Sequence, residues 1–453
     1  MEQILWGASA VVILLGAWLA YIKTRDPFHP AVILAPSLAF VYGFWPFSLN
    51  YNQGLQELLG SSNLVFVGSI YLFALLAFYA GLLRFPPSSA LKRLRQIRLY
   101  ANNPFNLNLP KTARRRLFAV SIVLGFLGLL AYINIITNVG GLVSAYSQAK
   151  GGGVAGSGYV GEGVLLSFPA ILLLGLSRQG LGRLRLTDIS LALFIATPHL
   201  LQGLLGGRRG PLFLVLAVLF LARFFARGKL PSLGASLAGF ISIGFIILLV
   251  ASQRQDLYLG SGGEFSMARL FDLFITPEDL ETNDYVAGAS SVIINNYTKD
   301  FTWGRDHLVN LLIRPIPRQL WPSKYEDAAN IFGYRVVEGG GDWEHFADVL
   351  GFAPPKGSAV GFLSDLYGNF SFGVFLAVFF LGWFLAVLWS RHRLRGGVWS
   401  VVFAEAMILS VYLPTQSFSA FYQRLLIMSA ITILVFKFYV KPGSQRTIAR
   451  SPQ

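Results

Sequence analysis

The chain contains no cysteine. Thiol nucleophiles, disulfides and cysteine-ligated metals are therefore excluded. Charge is scarce as well. Asp, Glu, Lys and Arg make up 13% of the residues, about half the share found in an average soluble domain. Acids are the scarcer sign, 22 against 37 bases. The sequence has no HExxH, no P-loop and no GxSxG, which argues against a zincin protease, nucleotide-driven transport and a serine hydrolase of the elbow type. No repeat of 20–50 residues is visible. No inverted repeat stands out either, which counts against common transporter folds.

What is abundant is hydrophobic: 54% of residues, with a mean hydropathy of +0.56. Several apolar runs approach the ~20 residues needed to cross a bilayer. The expected fold class is an all-α polytopic membrane protein. MEQILW has no basic region before its apolar run, so a cleaved signal peptide is not expected and the first run stays as a helix. Spans are expected at about 3–22, 30–49, 63–83, 117–137, 162–177, 188–205, 211–226, 232–251, 370–390, 398–414 and 424–440. A short helix at Ala359–Tyr367 is expected before the ninth. The resulting organisation is eight helices over 1–251, an outward-facing loop domain with short amphipathic helices over 252–358, three helices over 359–440, and a basic cytoplasmic tail over 441–453.

Charge distribution agrees with this map. The stretch from Arg84 to Arg116 is rich in Lys and Arg and has no acid, as a cytoplasmic loop should be. With the N-terminus outside, cytoplasmic segments collect about two thirds of all Lys and Arg, consistent with about eleven spans. The formal charge of +15 therefore reads as inner-loop charge facing a lipid bilayer and not as a nucleic-acid surface. The segment 252–358 falls outside and carries more acids than bases.

Cations left on the outer side carry the chemical argument: Arg208, Arg209, Arg254, Arg269, Arg305, Arg314, Arg318, Lys324, Arg335 and Arg424. Near a membrane a cation is expensive without a partner. That partner is either an acid of 252–358 or an anionic ligand, and arginine suits phosphate because its fork binds in bidentate fashion and keeps its charge. Arg208 and Arg209 sit in LLGGRRGPLF, between glycines that admit close approach, and Pro211 suits the first turn of the following helix. A helix N-terminus beside two arginines makes an anion site. Arg314 and Arg318 lie in RPIPRQLWP, where Pro315 and Pro317 should end the preceding helix by about Ile313. The leucines and Trp321 give that stretch an interfacial character. Its arginines either meet a ligand or reach toward headgroups.

Candidates for proton abstraction are Asp300, Asp306, His307, Glu326, Asp327, Asp342, Glu344, His345, Asp348 and Asp365. Asp365, in SDLYGNFSFG, stands where a polar segment enters the ninth helix. His345 follows a glycine run and serves either as a base or as a local hydrogen-bonding group. Neither Glu326–Asp327 nor Glu344 with His345 and Asp348 has an established metal spacing, and no metal or cofactor is expected. Glu405 is the one acid placed well inside a span, as a relay or as a group satisfied by a neighbouring helix. The first outer loop has the lone acid Glu57, which argues against dolichol-type mannosyltransferases with an acidic pair there.

Three stretches resemble the oligosaccharide repeat-unit polymerases, the Wzy-type O-antigen or exopolysaccharide polymerases. They are GGRRGPLF (206–213), RPIPRQLWPSK (314–324) and SAVGFLSDLYGNFSFGVF (358–375). Two departures stand out. Tyr325 follows the lysine of the WPxK stretch where relatives often have proline, and Asp365 stands where they often have glutamate. The resemblance implies an enzyme of the bacterial inner membrane, active on the periplasmic side without metal or nucleotide. It would move a growing glycan from undecaprenyl pyrophosphate onto the next lipid-linked repeat unit, beside a flippase and a chain-length-determinant protein. On that reading Arg208, Arg209, Arg254, Arg314, Arg318, Lys324, Tyr367 and Arg424 hold pyrophosphate and glycan. Arg209 and Arg314 stabilise the leaving group, and Asp365 or His345 takes the acceptor's proton. The related O-antigen ligases differ mainly in acceptor. A glycolipid flippase or polysaccharide exporter and a structural subunit of a synthesis complex are the other classes.

Overall fold

A computed structural model describes residues 1–50, 53–84, 109–146, 162–179, 181–206, 208–252, 283–313, 316, 320–332, 348–352 and 360–440. Regular structure among these residues is helical, without a strand. The principal helices are α1 (Glu2–Thr24), α2 (Ser61–Leu82), α3 (Lys111–Asn138), α4 (Ser167–Ser177), α5 (Leu186–Leu204), α6 (Arg209–Arg227) and α7 (Leu233–Ser252). They continue with α8 (Asp284–Thr298), α9 (Lys324–Phe332), α10 (Gly361–Phe370), α11 (Val374–Arg395), α12 (Val398–Val411) and α13 (Phe418–Tyr439). Among the described residues six helical stretches are long and apolar enough to cross a membrane: α1, α2, α3, α6, Gly361–Arg395 and α13. The protein is thus a helical, multi-pass membrane protein. Gly163–Ser177 and Val398–Val411 are shorter apolar helices.

The expected span at 30–49 takes a different form. The run at 30–49 is broken into Pro30–Ile33, Ala35–Ala39, a π turn at Phe40–Phe44 and Trp45–Leu49. Pro36 and Pro46 lack the N–H that would continue the ladder. The Trp45 N–H reaches back to the Phe40 carbonyl, one residue beyond the α-helical acceptor.

The chain divides into two compact units. The first comprises Met1–Ser88, Met267–Trp389 and Leu409–Gln423; the second comprises Ser89–Ser266, Ser390–Ile408 and Arg424–Gln453. In the first unit α1 lies along α2, where Gly16 receives the face of Tyr79. α2 and α11 meet backbone to backbone at two glycines. A Cβ on Gly81 would land on the Phe379 carbonyl and the Trp383 nitrogen; one on Gly382 would land on the Phe78 carbonyl and the Leu82 nitrogen. In lipid, helix association relies on such close packing, which small residues permit. α10 is short and largely buried. It is held by Gly361, whose φ of +73° brings it against the Pro414 carbonyl, and by Ser364, whose hydroxyl lies 2.7 Å from that of Tyr71.

In the second unit every residue of α4 is buried. A helix apolar all round belongs inside a bundle, and α3, α5 and α6 surround it. Gly175 allows α4 to touch the backbone of α6 at Ala222. Beyond its end the Arg178 guanidinium pairs with buried Asp188 at 2.6 Å and lies over the Phe118 ring at 4.1 Å. Asp188 also accepts the Arg185 N–H at 3.0 Å, capping α5.

Candidate functional site

In the first unit, polar side chains gather about the first turn of α13. Asp365, on α10, aims its carboxylate at that turn. Its Oδ2 accepts the backbone N–H of Phe418 at 2.7 Å and of Ser419 at 3.2 Å. First-turn N–H groups have no acceptor within their helix, and the helix dipole favours an anion there. Oδ1 accepts from Asn369 Nδ2 at 3.3 Å, and Asn369 Oδ1 accepts the Thr302 hydroxyl at 2.8 Å. A continuous set of hydrogen bonds therefore ties the segment after α8, through α10, to α13.

His307, in the turn Arg305–Leu308, adjoins the same place. Its ring centroid lies 5.5 Å from Phe418, 5.6 Å from Tyr422 and 5.8 Å from Phe370. Its carbonyl accepts the Tyr422 hydroxyl at 2.6 Å. Both ring nitrogens are buried without a hydrogen-bond partner. Burial pushes the imidazole down to about 4, opposed by the Asp306 carboxylate, which raises it. The ring is neutral at pH 7, with one nitrogen a donor and the other an acceptor. Gln416, just before α13, is also buried, with both amide atoms unpartnered.

Lys324 and Tyr367 belong to this unit. Lys324 is 1% exposed, and its ammonium donates to the Ile316 carbonyl at 2.6 Å and stands 4.8 Å from the Tyr325 ring. Tyr367 is buried, edge-on to Phe301 at 5.7 Å and to Phe66 at 6.2 Å. Asp327 accepts from Trp321 Nε1 and from the Ser323 hydroxyl, and these bonds hold its carboxyl below the usual range.

The second unit holds Arg208, Arg209 and Arg424. Arg208 is the N-cap residue of α6 and Arg209 its first residue. Gly206 lies under the Tyr146 ring, 3.1 Å from where a Cβ would stand. The Tyr146 hydroxyl is 2.9 Å from that of Tyr132. Burial pushes the Tyr146 phenol up, while the bond with Tyr132 and the Arg208 charge pull it back. His199, on α5, stacks on Phe168 at 4.2 Å and places Nε2 3.0 Å from the Val164 carbonyl, within electrostatic reach of Arg424. The start of α6, with its two arginines, is suited to an anion, whereas Tyr132 and Tyr146 are buried.

Arg254, Arg314, Arg318 and His345 lie outside the described residues. Among the described residues no group of three or more His, Asp or Glu converges as metal ligands would. Sequence reasoning passed over Tyr132, Tyr146, His199, Gln416 and Tyr422. One usable signal existed: Phe418 and Tyr422 are four residues apart, on one face of a helix. No protein-family model, curated protein or solved structure matches the chain.

Proposed function

We propose that the chain is a membrane glycosyltransferase of the oligosaccharide repeat-unit polymerase type, acting on undecaprenyl-pyrophosphate-linked oligosaccharides. The observation that carries this reading is the pair Arg208 and Arg209 at the start of α6, with the Arg208 charge reaching the Tyr146 hydroxyl. The acceptor hydroxyl would attack the anomeric carbon as its bond to pyrophosphate breaks. The electron pair leaves with the pyrophosphate, where fixed arginines stabilise the growing charge. Attack from the far side inverts the anomeric centre, and no metal step is required. The hydroxyl's proton goes to a base.

This reading places about eleven spans in the bacterial inner membrane, with 252–358 and the arginines at the periplasmic face. A flippase would supply substrate, and a chain-length-determinant protein would set the product length. An O-antigen-ligase activity would use the same leaving group with another acceptor. A proton-coupled exporter is favoured by one observation, the fully buried Glu405 on α12. One carboxyl oxygen accepts from Thr432 at 2.6 Å and the other has no partner.

Complementation of a polymerase-deficient strain that makes the cognate repeat unit tests the proposal. Wild type should restore a ladder of glycan lengths. Arg208→Ala, Arg209→Ala, Arg314→Ala and Arg318→Ala should collapse it to single units while the protein still reaches the membrane. Loss even of single units points to a ligase or exporter, and a ladder unchanged by all four variants overturns the site.

A further inference from the structure

A second feature of the second unit is unrelated to the proposed chemistry. Between α6 and α7 lies a groove of about 420 Å³, within the range of about 300–1,000 Å³ typical of small-molecule sites. Leu216, Phe220, Phe224, Ala238 and Ile243 give it apolar walls, and Arg223 and Arg227 line it as well. These arginines are four residues apart on one helix, so they share a face. Both are exposed, and among the described residues no acid pairs with either. Like charges at that spacing repel. A helix C-terminus favours one cation in its last turn, which accounts for Arg227 but not for Arg223 one turn deeper. Gly239 keeps the opposite wall low; a Cβ there would meet the Phe220 ring.

An occupant must therefore be apolar along most of its length and carry an anion at one end that two guanidinium groups can share. Free phosphate satisfies only the second requirement and a neutral lipid only the first. We propose that the groove binds an anionic glycerophospholipid of the bilayer, its phosphate between Arg223 and Arg227 and one acyl chain along Phe220. Guanidinium forks match phosphate oxygens, and basic pockets between helices at the cytoplasmic side are suited to such headgroups.

The test is native mass spectrometry of the full chain, released from vesicles of phosphatidylglycerol and phosphatidylethanolamine. Wild type should retain one phosphatidylglycerol. R223A/R227A should retain it at least about tenfold less, with phosphatidylethanolamine adducts unchanged. Ala238→Phe should lose it with both arginines intact. R115A/R116A removes as much charge elsewhere and should keep it. Thermal transitions of each variant report folding independently. Equal retention by R223A/R227A, equal loss by R115A/R116A, or displacement of the lipid by millimolar inorganic phosphate would overturn the proposal.

Discussion

The Asp365 carboxylate lies 2.7 Å from the backbone nitrogen of Phe418, 53 residues further along the chain, and closes the N-terminus of α13. A side chain on one helix thus supplies the cap of another. Asp365→Ala leaves the Phe418 and Ser419 N–H groups without this acceptor and should cost about 1 kcal/mol. Asp365→Asn keeps an acceptor oxygen and should cost less. Thermal unfolding in detergent ranks the two. If Asp365→Asn keeps stability but abolishes glycan polymerisation, the carboxylate has a chemical task besides its structural one.

His307 makes stability depend on pH. The unfolded imidazole takes up a proton near 6.5 and the folded one only near 4. Between these values the unfolded state binds more protons, so stability rises with pH. The contribution is complete above pH 6.5 and is lost as pH falls toward 4, by up to about 3 kcal/mol. His307→Phe keeps an aromatic ring among Phe370, Phe418 and Tyr422 and should flatten the profile in that window. An unchanged slope would show that another group titrates.

At the α2–α11 crossing there is no room for a side chain. Gly81→Leu and Gly382→Leu should each destabilise by at least about 1–3 kcal/mol, the usual cost of overpacking. Gly234, on α7, has nothing within 4 Å of a Cβ. Gly234→Ala should be neutral or slightly stabilising, because glycine is a poor helix former. Yields of folded monomer from size-exclusion chromatography distinguish the cases.

Thr432→Val should cost about 1–3 kcal/mol, because it removes the partner of a buried carboxyl oxygen. Glu405→Gln retains an acceptor and should be milder. Cells carrying Glu405→Gln should export glycan normally if Glu405 only ties α12 to α13. Loss of export with normal stability would instead favour the exporter reading.

Long apolar helices were legible because hydropathy over about 20 residues is a local property. The run at 30–49 was less so. Its composition is apolar throughout, and only Pro36 and Pro46 reveal that the ladder cannot continue. The candidate site was legible by residue type and not by partnership. Arg208 and Arg209 stand out through their glycines and Pro211. The binding of Asp365 to α13, of Tyr422 to the His307 carbonyl and of Tyr146 to Tyr132 are tertiary facts. His307 and Tyr422 are separated by 115 residues, and no periodicity reaches that far.

The fully buried α4 bears on how the second unit is held together. Even with the turn that precedes it, Gly163–Ser177 is 15 residues long, about 22 Å as a helix against a hydrocarbon core of about 30 Å. It is too short to cross the bilayer unaided, and in the finished protein its sides face other helices. Its neighbours, and not the bilayer, therefore supply its apolar surroundings. α4 can keep this place only with α3, α5 and α6 around it, so it does for this unit what a central core helix does for a soluble domain.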